Sequence, residues 1–118
     1  METTLVLGAS AKPDRYSNKA MFMLKEKGHN LLAVGNREGS AYDIDITKEM
    51  PTSGVDTITM YLGATNQIPY YDSIIALKPR RIIFNPGSEN IELTELAHQN
   101  GIETEEACTL VLLSTGVY

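Results

Sequence analysis

The chain has 118 residues, is 42% apolar and 21% charged, and carries a net charge of −5, which suits one domain around one core and excludes general affinity for nucleic acid. Its apolar runs are short, Leu110–Leu113 being typical, and fall well below the roughly 20 residues that cross a bilayer, so no membrane helix is expected. Acidic Glu2 ahead of a brief apolar stretch does not read as a secretory signal, and the lone Cys108 makes no internal disulfide, so the expected compartment is the cytoplasm.

In chain order, residues 3–7 read as a buried strand. The strand breaks at Gly8 and gives way to a loop of small and charged residues, Ala9 to Arg15. Ser17 or Asn18 is expected to cap a helix from Asn18 to Lys27 that ends at Gly28. Asn30–Val34 is a second strand, followed by Gly35-Asn36-Arg37. Residues 38–41 read as loop, and Tyr42–Ile46 alternates as a short edge strand. Thr47–Gly54 reads as turn with one helical turn. Val55–Leu62 is a central strand, broken by Gly63. Pro69 sits where a first helical position tolerates a missing N–H, and that helix runs to about Leu77. Arg81–Phe84 is a further strand, and Asn85-Pro86-Gly87-Ser88 follows. Ser88 or Asn90 caps a helix whose apolar stripe is Leu93, Leu96 and Ala97. Ile102–Thr104 is a last strand and Ala107–Leu113 a last helix.

The repeated strand–helix–strand order with short loops predicts an α/β fold over residues 1–118: a single domain, a three-layer, doubly wound parallel sheet of the Rossmann-like type. In such sheets ligands bind at the carboxyl ends of the strands. The first loop, Gly8 to Ser17, pairs small residues with a helix start, where free N–H groups favour an anion. It is therefore expected to hold the diphosphate of a nucleotide-type cofactor. Charge agrees. Residues 1–37 hold six bases and three acids, a local charge of +3, whereas residues 38–118 hold four bases and twelve acids, a charge of −8. Lys12, Arg15 and Arg37, all near strand ends, suit a small polyanion.

A dinucleotide fingerprint, G-x-G-x-x-G with an acid about 20 residues on, is missing. The second strand ends in Asn36-Arg37, and a base there suits a phosphorylated ribose, which favours NADP or coenzyme A over NAD. The segments GAS-x-K-P-x-R-Y-S, V-G-N, F-N-P-G-S-E-N and EACTLVLLSTG together resemble the small bacterial coenzyme A-binding proteins. These are single-domain relatives of the nucleotide-binding domain that begins the succinyl-CoA synthetase α subunit. The likeness covers roughly Thr3 to Gly116, and three separate strand-end loops agree. It implies that Gly8, Ala9 and Ser10 approach the diphosphate, and that Lys12, Arg15 and Ser17 meet phosphate oxygens. Asn36 and Arg37 then meet the ribose phosphate or adenosine end, Leu62 and Gly63 lie against the adenine, and Asn85, Pro86 and Gly87 lie near the pantetheine arm. Tyr16 departs from the smaller or prolyl residue frequent in relatives, and the proline of the third strand end is missing.

Catalysis is not expected. His29, His98 and Cys108 lack metal-ligand spacing, no nucleophile elbow or P-loop lysine is present, and Cys108, before an apolar run, reads as a buried, inert thiol. Glu103, Glu105 and Glu106 read as solvent-facing charge at a helix start. The reading is a module that binds coenzyme A or a short acyl-CoA, as a sensor or carrier, with a small-molecule nucleotide, and no nucleic acid or membrane, as its partner. An apolar C-terminal end also suits a homodimer or a protein partner. Two alternatives stay open: a minimal NADP-dependent reductase, and a regulatory subunit with a vestigial nucleotide site.

Overall fold

Strand β1 (Thr3–Leu7) has residues 4–7 buried on both faces, as a central strand covered by helices on both sides requires. Residues 2–118 are described by a computed structural model. After β1 come α1 (Tyr16–Glu26), β2 (Asn30–Val34), β3 (Gly39–Ala41), β4 (Ile44–Thr47) and β5 (Thr57–Met60). Then follow α2 (Ala64–Gln67), a 3₁₀ turn (Ile68–Tyr70), α3 (Tyr71–Leu77), β6 (Arg81–Phe84), α4 (Ile91–Gln99), β7 (Glu103–Glu106) and α5 (Thr109–Ser114). The sheet order is β3-β4-β2-β1-β5-β6-β7, parallel throughout except for the antiparallel β3–β4 pair. Leu5 lies between Leu32 of β2 and Ile58 of β5.

Successive strand residues point to opposite faces, and two apolar layers result. Leu5, Leu7, Ile58, Met60, Ile82 and Phe84 pack with Ile74 and Leu77 of α3 and Leu93 and Ala97 of α4. Val6, Leu31, Ala33 and Ile46 pack with Met21 and Leu24 of α1 and Leu113 of α5. Three layers, α/β/α, with the chain reversing direction across the sheet on either side of β1, leave a crevice at the strands' carboxyl ends.

Several boundaries differ from the sequence reading. The sheet is not wholly parallel: residues 38–41 contain β3, and the expected strand Tyr42–Ile46 is interrupted by Tyr42 and Asp43, at φ +56° and +65°. Two consecutive left-handed residues make a tight hairpin turn, and they put β4 inside the sheet, between β3 and β2, rather than at its edge. The turn lacks the Asn-Gly signature because α1 supplies the compensation: Lys25 donates to the Tyr42 carbonyl and lies 3.6 Å from Asp43, and Phe22 packs edge-on against the Tyr42 ring at 5.3 Å. Residues 48–54 contain no helical turn.

β5 is shorter than Val55–Leu62. Tyr61 donates to the Leu7 carbonyl at 2.9 Å, after which the chain leaves the sheet. Pro69 lies inside the 3₁₀ turn, and the helical path starts earlier, with Gly63 as the cap of α2. Asn90, not Ser88, caps α4, accepting from Leu93 N–H at 3.1 Å. β7 extends two residues beyond the expected end at Thr104, so Glu103, Glu105 and Glu106 lie on an edge strand, and α5 begins only at Thr109.

Candidate functional site

The loop after β1 is built by its neighbours. Gly8 has φ +96°, and a side chain there would also press on the Tyr61 and Leu62 backbone at 3.1 Å, so the residue must be glycine. The N–H groups of Gly8 and Ala9 both donate to the Val34 carbonyl, at 2.8 and 2.9 Å, which turns the chain across the end of β2 and leaves these two amides unable to serve a ligand. Gly35 is required by the same turn: a Cβ there would sit 2.3 Å from the Ala9 carbonyl oxygen. Past Ala9, the Ser10 Oγ accepts from Lys12 N–H at 3.1 Å, a short side-chain turn that bends the loop back.

The cap of α1 differs from expectation. Arg15 takes the extended cap position and gives no side-chain hydrogen bond, and Ser17 and Asn18 lie buried within the first turn. Asn18 is diverted to tertiary work. Its amide donates to the Ser10 carbonyl at 2.9 Å, and its oxygen accepts from the Tyr42 hydroxyl. The first turn holds no acidic residue, and the N–H groups of Tyr16, Ser17 and Asn18 meet no acceptor among the described residues. An uncapped helix start with its dipole end unneutralised is a place for an anion.

This helix start opens into a cleft of about 830 Å³ at the carboxyl ends of the strands, a size that suits a cofactor. Of the residues singled out in the sequence, Gly8, Ala9, Ser10, Lys12, Arg15, Ser17, Asn36, Arg37, Leu62, Asn85 and Pro86 line it. Gly63 and Gly87 do not. Gly63 caps α2, and Gly87 sits in the turn after β6 with its N–H donated to Glu89 at 2.9 Å. The cleft also takes in Ala11, Tyr16, Glu38, Tyr61, Cys108 and Leu110, which the sequence reading did not assign. The signal for two of these was their place just after a strand: once β5 ends at Met60 and β7 at Glu106, Tyr61 and Cys108 fall at the sheet's carboxyl end. Cys108 is accordingly half-buried in the wall of the cleft rather than buried in the core.

The two sides of the cleft differ chemically. Loops after β1 and β2 contribute Lys12, Arg15 and Arg37, all exposed, and none forms an ion pair among the described residues. Loops after β5, β6 and β7 contribute Leu62, Pro86 and Cys108, and the first turn of α5 contributes Leu110. Behind that second side lies a closed polar knot. Asn85 donates to Thr59 Oγ1 at 2.8 Å and to the Met60 carbonyl at 3.0 Å, and accepts from Thr109 N–H at 2.8 Å. Its side chain is therefore committed internally, and it can meet a ligand only through the surface it presents. The Thr59 and Thr109 hydroxyls bond each other at 2.8 Å. The buried Tyr61 hydroxyl makes no hydrogen bond of good geometry among the described residues, and burial, opposed by the nearby Thr59 and Thr109 hydroxyls, pushes its pKa up to about 12.

The fold and the cleft define a class: a doubly wound α/β domain whose crevice offers a polyanion three unpaired cations and an uncapped helix start, beside an apolar surface. The chain belongs to the CoA binding domain family, whose model matches residues 2–114. A crystal structure of an uncharacterized protein aligns with 45% identity and a TM-score of 0.96, covering 100% of this chain and 98% of that one. The cell-free ID.343 structure from Thermus thermophilus aligns over 99% of this chain and 90% of its own at 17% identity and a TM-score of 0.83. A conserved hypothetical protein from Pyrococcus furiosus aligns over 89% and 92% at 21% identity and a TM-score of 0.76. These last two are similar in fold. No curated protein matches the chain. Among the described residues no cluster of potential metal ligands occurs and no helix is long and apolar enough to cross a membrane.

Proposed function

We propose that the protein binds coenzyme A or a short acyl-CoA as a single-domain module, without catalysis of its own, and serves as a sensor or carrier of that ligand. The observation that carries this reading is the set of unpaired cations, Lys12, Arg15 and Arg37, around the uncapped start of α1. Among the described residues no carboxylate pairs with any of the three, which makes a ligand phosphate their natural partner. Arg15 and Lys12, with the amides at the start of α1, take the diphosphate. Arg37 with Asn36 takes the phosphate on the ribose. Leu62 offers the adenine an aliphatic face, and the apolar side with Pro86 and Leu110 receives the pantetheine arm. Gly63 and Gly87 support the loops that carry these residues.

Titration calorimetry with coenzyme A, acetyl-CoA, 3′-dephospho-coenzyme A, NADP and NAD tests the proposal. Coenzyme A is expected to bind more tightly than its dephospho form, and Arg37→Ala to erase that preference. Arg15→Ala is expected to weaken binding about tenfold, the loss of one charge-assisted hydrogen bond, with the melting temperature unchanged. Lys27→Ala is the control, because Lys27 is exposed on the far end of α1 and lines no part of the cleft. Preference for NADP together with hydride transfer would replace this reading by the reductase one. Silence from all five ligands would leave a vestigial site.

A further inference from the structure

Tyr16 is the more exposed of the two aromatic side chains that line the cleft, the other being Tyr61: it is 69% accessible and enters from the first position of α1. It belongs to neither apolar layer and pairs with no other aromatic ring among the described residues. The Lys19 ammonium, one helical turn on, lies 5.2 Å from the ring centroid and faces the electron-rich ring. A phenol ring in water at the head of a helix gains nothing for folding; a small or capping side chain would serve better there. Held beside a nucleotide-sized cleft, it has the shape and the π-face to receive a flat base.

We infer that Tyr16 supplies an aromatic face for the adenine ring of the bound coenzyme, opposite the aliphatic surface of Leu62. This rests on the reading that the cleft takes coenzyme A. The chemistry of the cleft selects adenine over the pantetheine arm. Tyr16 stands on the β1–β2 side with Lys12, Arg15 and Arg37, where the phosphorylated, adenosine-bearing half of the ligand belongs. Pro86, Cys108 and Leu110, on the β6–β7 side, face the other half. Lys19, stacked on the same ring, adds a cation to the phosphate-rich end.

The chain contains no tryptophan, so Tyr16→Trp introduces a single indole reporter. Coenzyme A and adenosine 3′,5′-bisphosphate are expected to quench its emission, whereas 4′-phosphopantetheine, at concentrations where calorimetry shows it bound, is expected to leave it unchanged. Tyr16→Leu should weaken coenzyme A binding about tenfold, in the range of one base–aromatic stack. It should leave 4′-phosphopantetheine affinity unaltered, and Tyr16→Phe should bind coenzyme A as the wild type does. A wild type that binds coenzyme A while Tyr16→Leu binds it equally well overturns this inference alone, as does equal quenching by 4′-phosphopantetheine. A wild type that binds no coenzyme A overturns the inference and the proposed function together.

Discussion

Gly35 decides more of the site than any charged residue does, although it does not line the cleft. A methyl group at this position would meet the Ala9 carbonyl oxygen at 2.3 Å, backbone against which nothing flexible can yield. Gly35→Ala must therefore push the first loop away from the end of β2 and break the paired bonds from Gly8 and Ala9 to Val34. The expected loss of stability is about 2 kcal/mol, in the range of other overpacked sites. Denaturant unfolding measures it, and coenzyme A affinity should fall with it. Wild-type stability in this variant would show that the loop relaxes freely. In the sequence, V-G-N marked a resemblance but gave Gly35 no task, because the need for glycine arises from a carbonyl 26 positions earlier in the chain. Arg15 was legible from its place beside a strand end, whereas Tyr16, next to it, was legible only as a departure from relatives.

Among the elements, the β3–β4 hairpin shows how a segment that does not itself line the cleft shapes the first loop. Tyr42, at its left-handed turn, donates its hydroxyl to Asn18, and Asn18 in turn holds the Ser10 carbonyl at 2.9 Å. Tyr42→Phe keeps the edge-on packing with Phe22 and removes only this relay. Binding of coenzyme A is expected to weaken severalfold, with far-ultraviolet circular dichroism unchanged; unaltered affinity would show that Asn18 holds the loop unaided. The strands and helices of the parallel core were readable because each is a short apolar run or an amphipathic stretch closed by glycine or proline. The hairpin was not, since Tyr42-Asp43 carries no turn signature and its strain is offset by Lys25 and Phe22 of another element. Ser17 and Asn18 looked like caps because both are good capping residues, and tertiary contacts divert Asn18 to Ser10 and Tyr42. The cleft was legible as a set of strand ends. Its Cys108 and Tyr61 walls were hidden by strand boundaries misplaced by two residues or so.

Taken whole, the molecule keeps three phenols more firmly protonated when folded than ordinary tyrosines are. Burial raises Tyr61 to about 12 and also raises Tyr118, and burial with the neighbouring Glu92 raises Tyr71. An unfolded tyrosine loses its proton near pH 10. Between pH 10 and about 12 the unfolded chain therefore sheds protons that the folded chain retains, so stability is full below pH 10 and falls as pH rises through this window. Tyr61 alone accounts for roughly 2–3 kcal/mol of that fall. Tyr61→Phe is expected to make the alkaline decline shallower while preserving stability at pH 8, because the hydroxyl it removes makes no well-formed hydrogen bond among the described residues. Urea titrations at pH 8, 10 and 11 check both, and an unchanged alkaline slope would assign the decline elsewhere.

The far border of the sheet bears on how copies of this chain can meet. Glu103, Glu105 and Glu106 run along β7, which has no neighbour on its outer side, and a second such strand laid against it would bring carboxylate rows face to face. Among the described residues only Glu105 of the three forms an ion pair, with Arg81 at 3.7 Å. Splicing two sheets into one is thereby disfavoured at this margin, and the carboxylates guard the open edge of β7 as edge strands of natural sheets are commonly guarded.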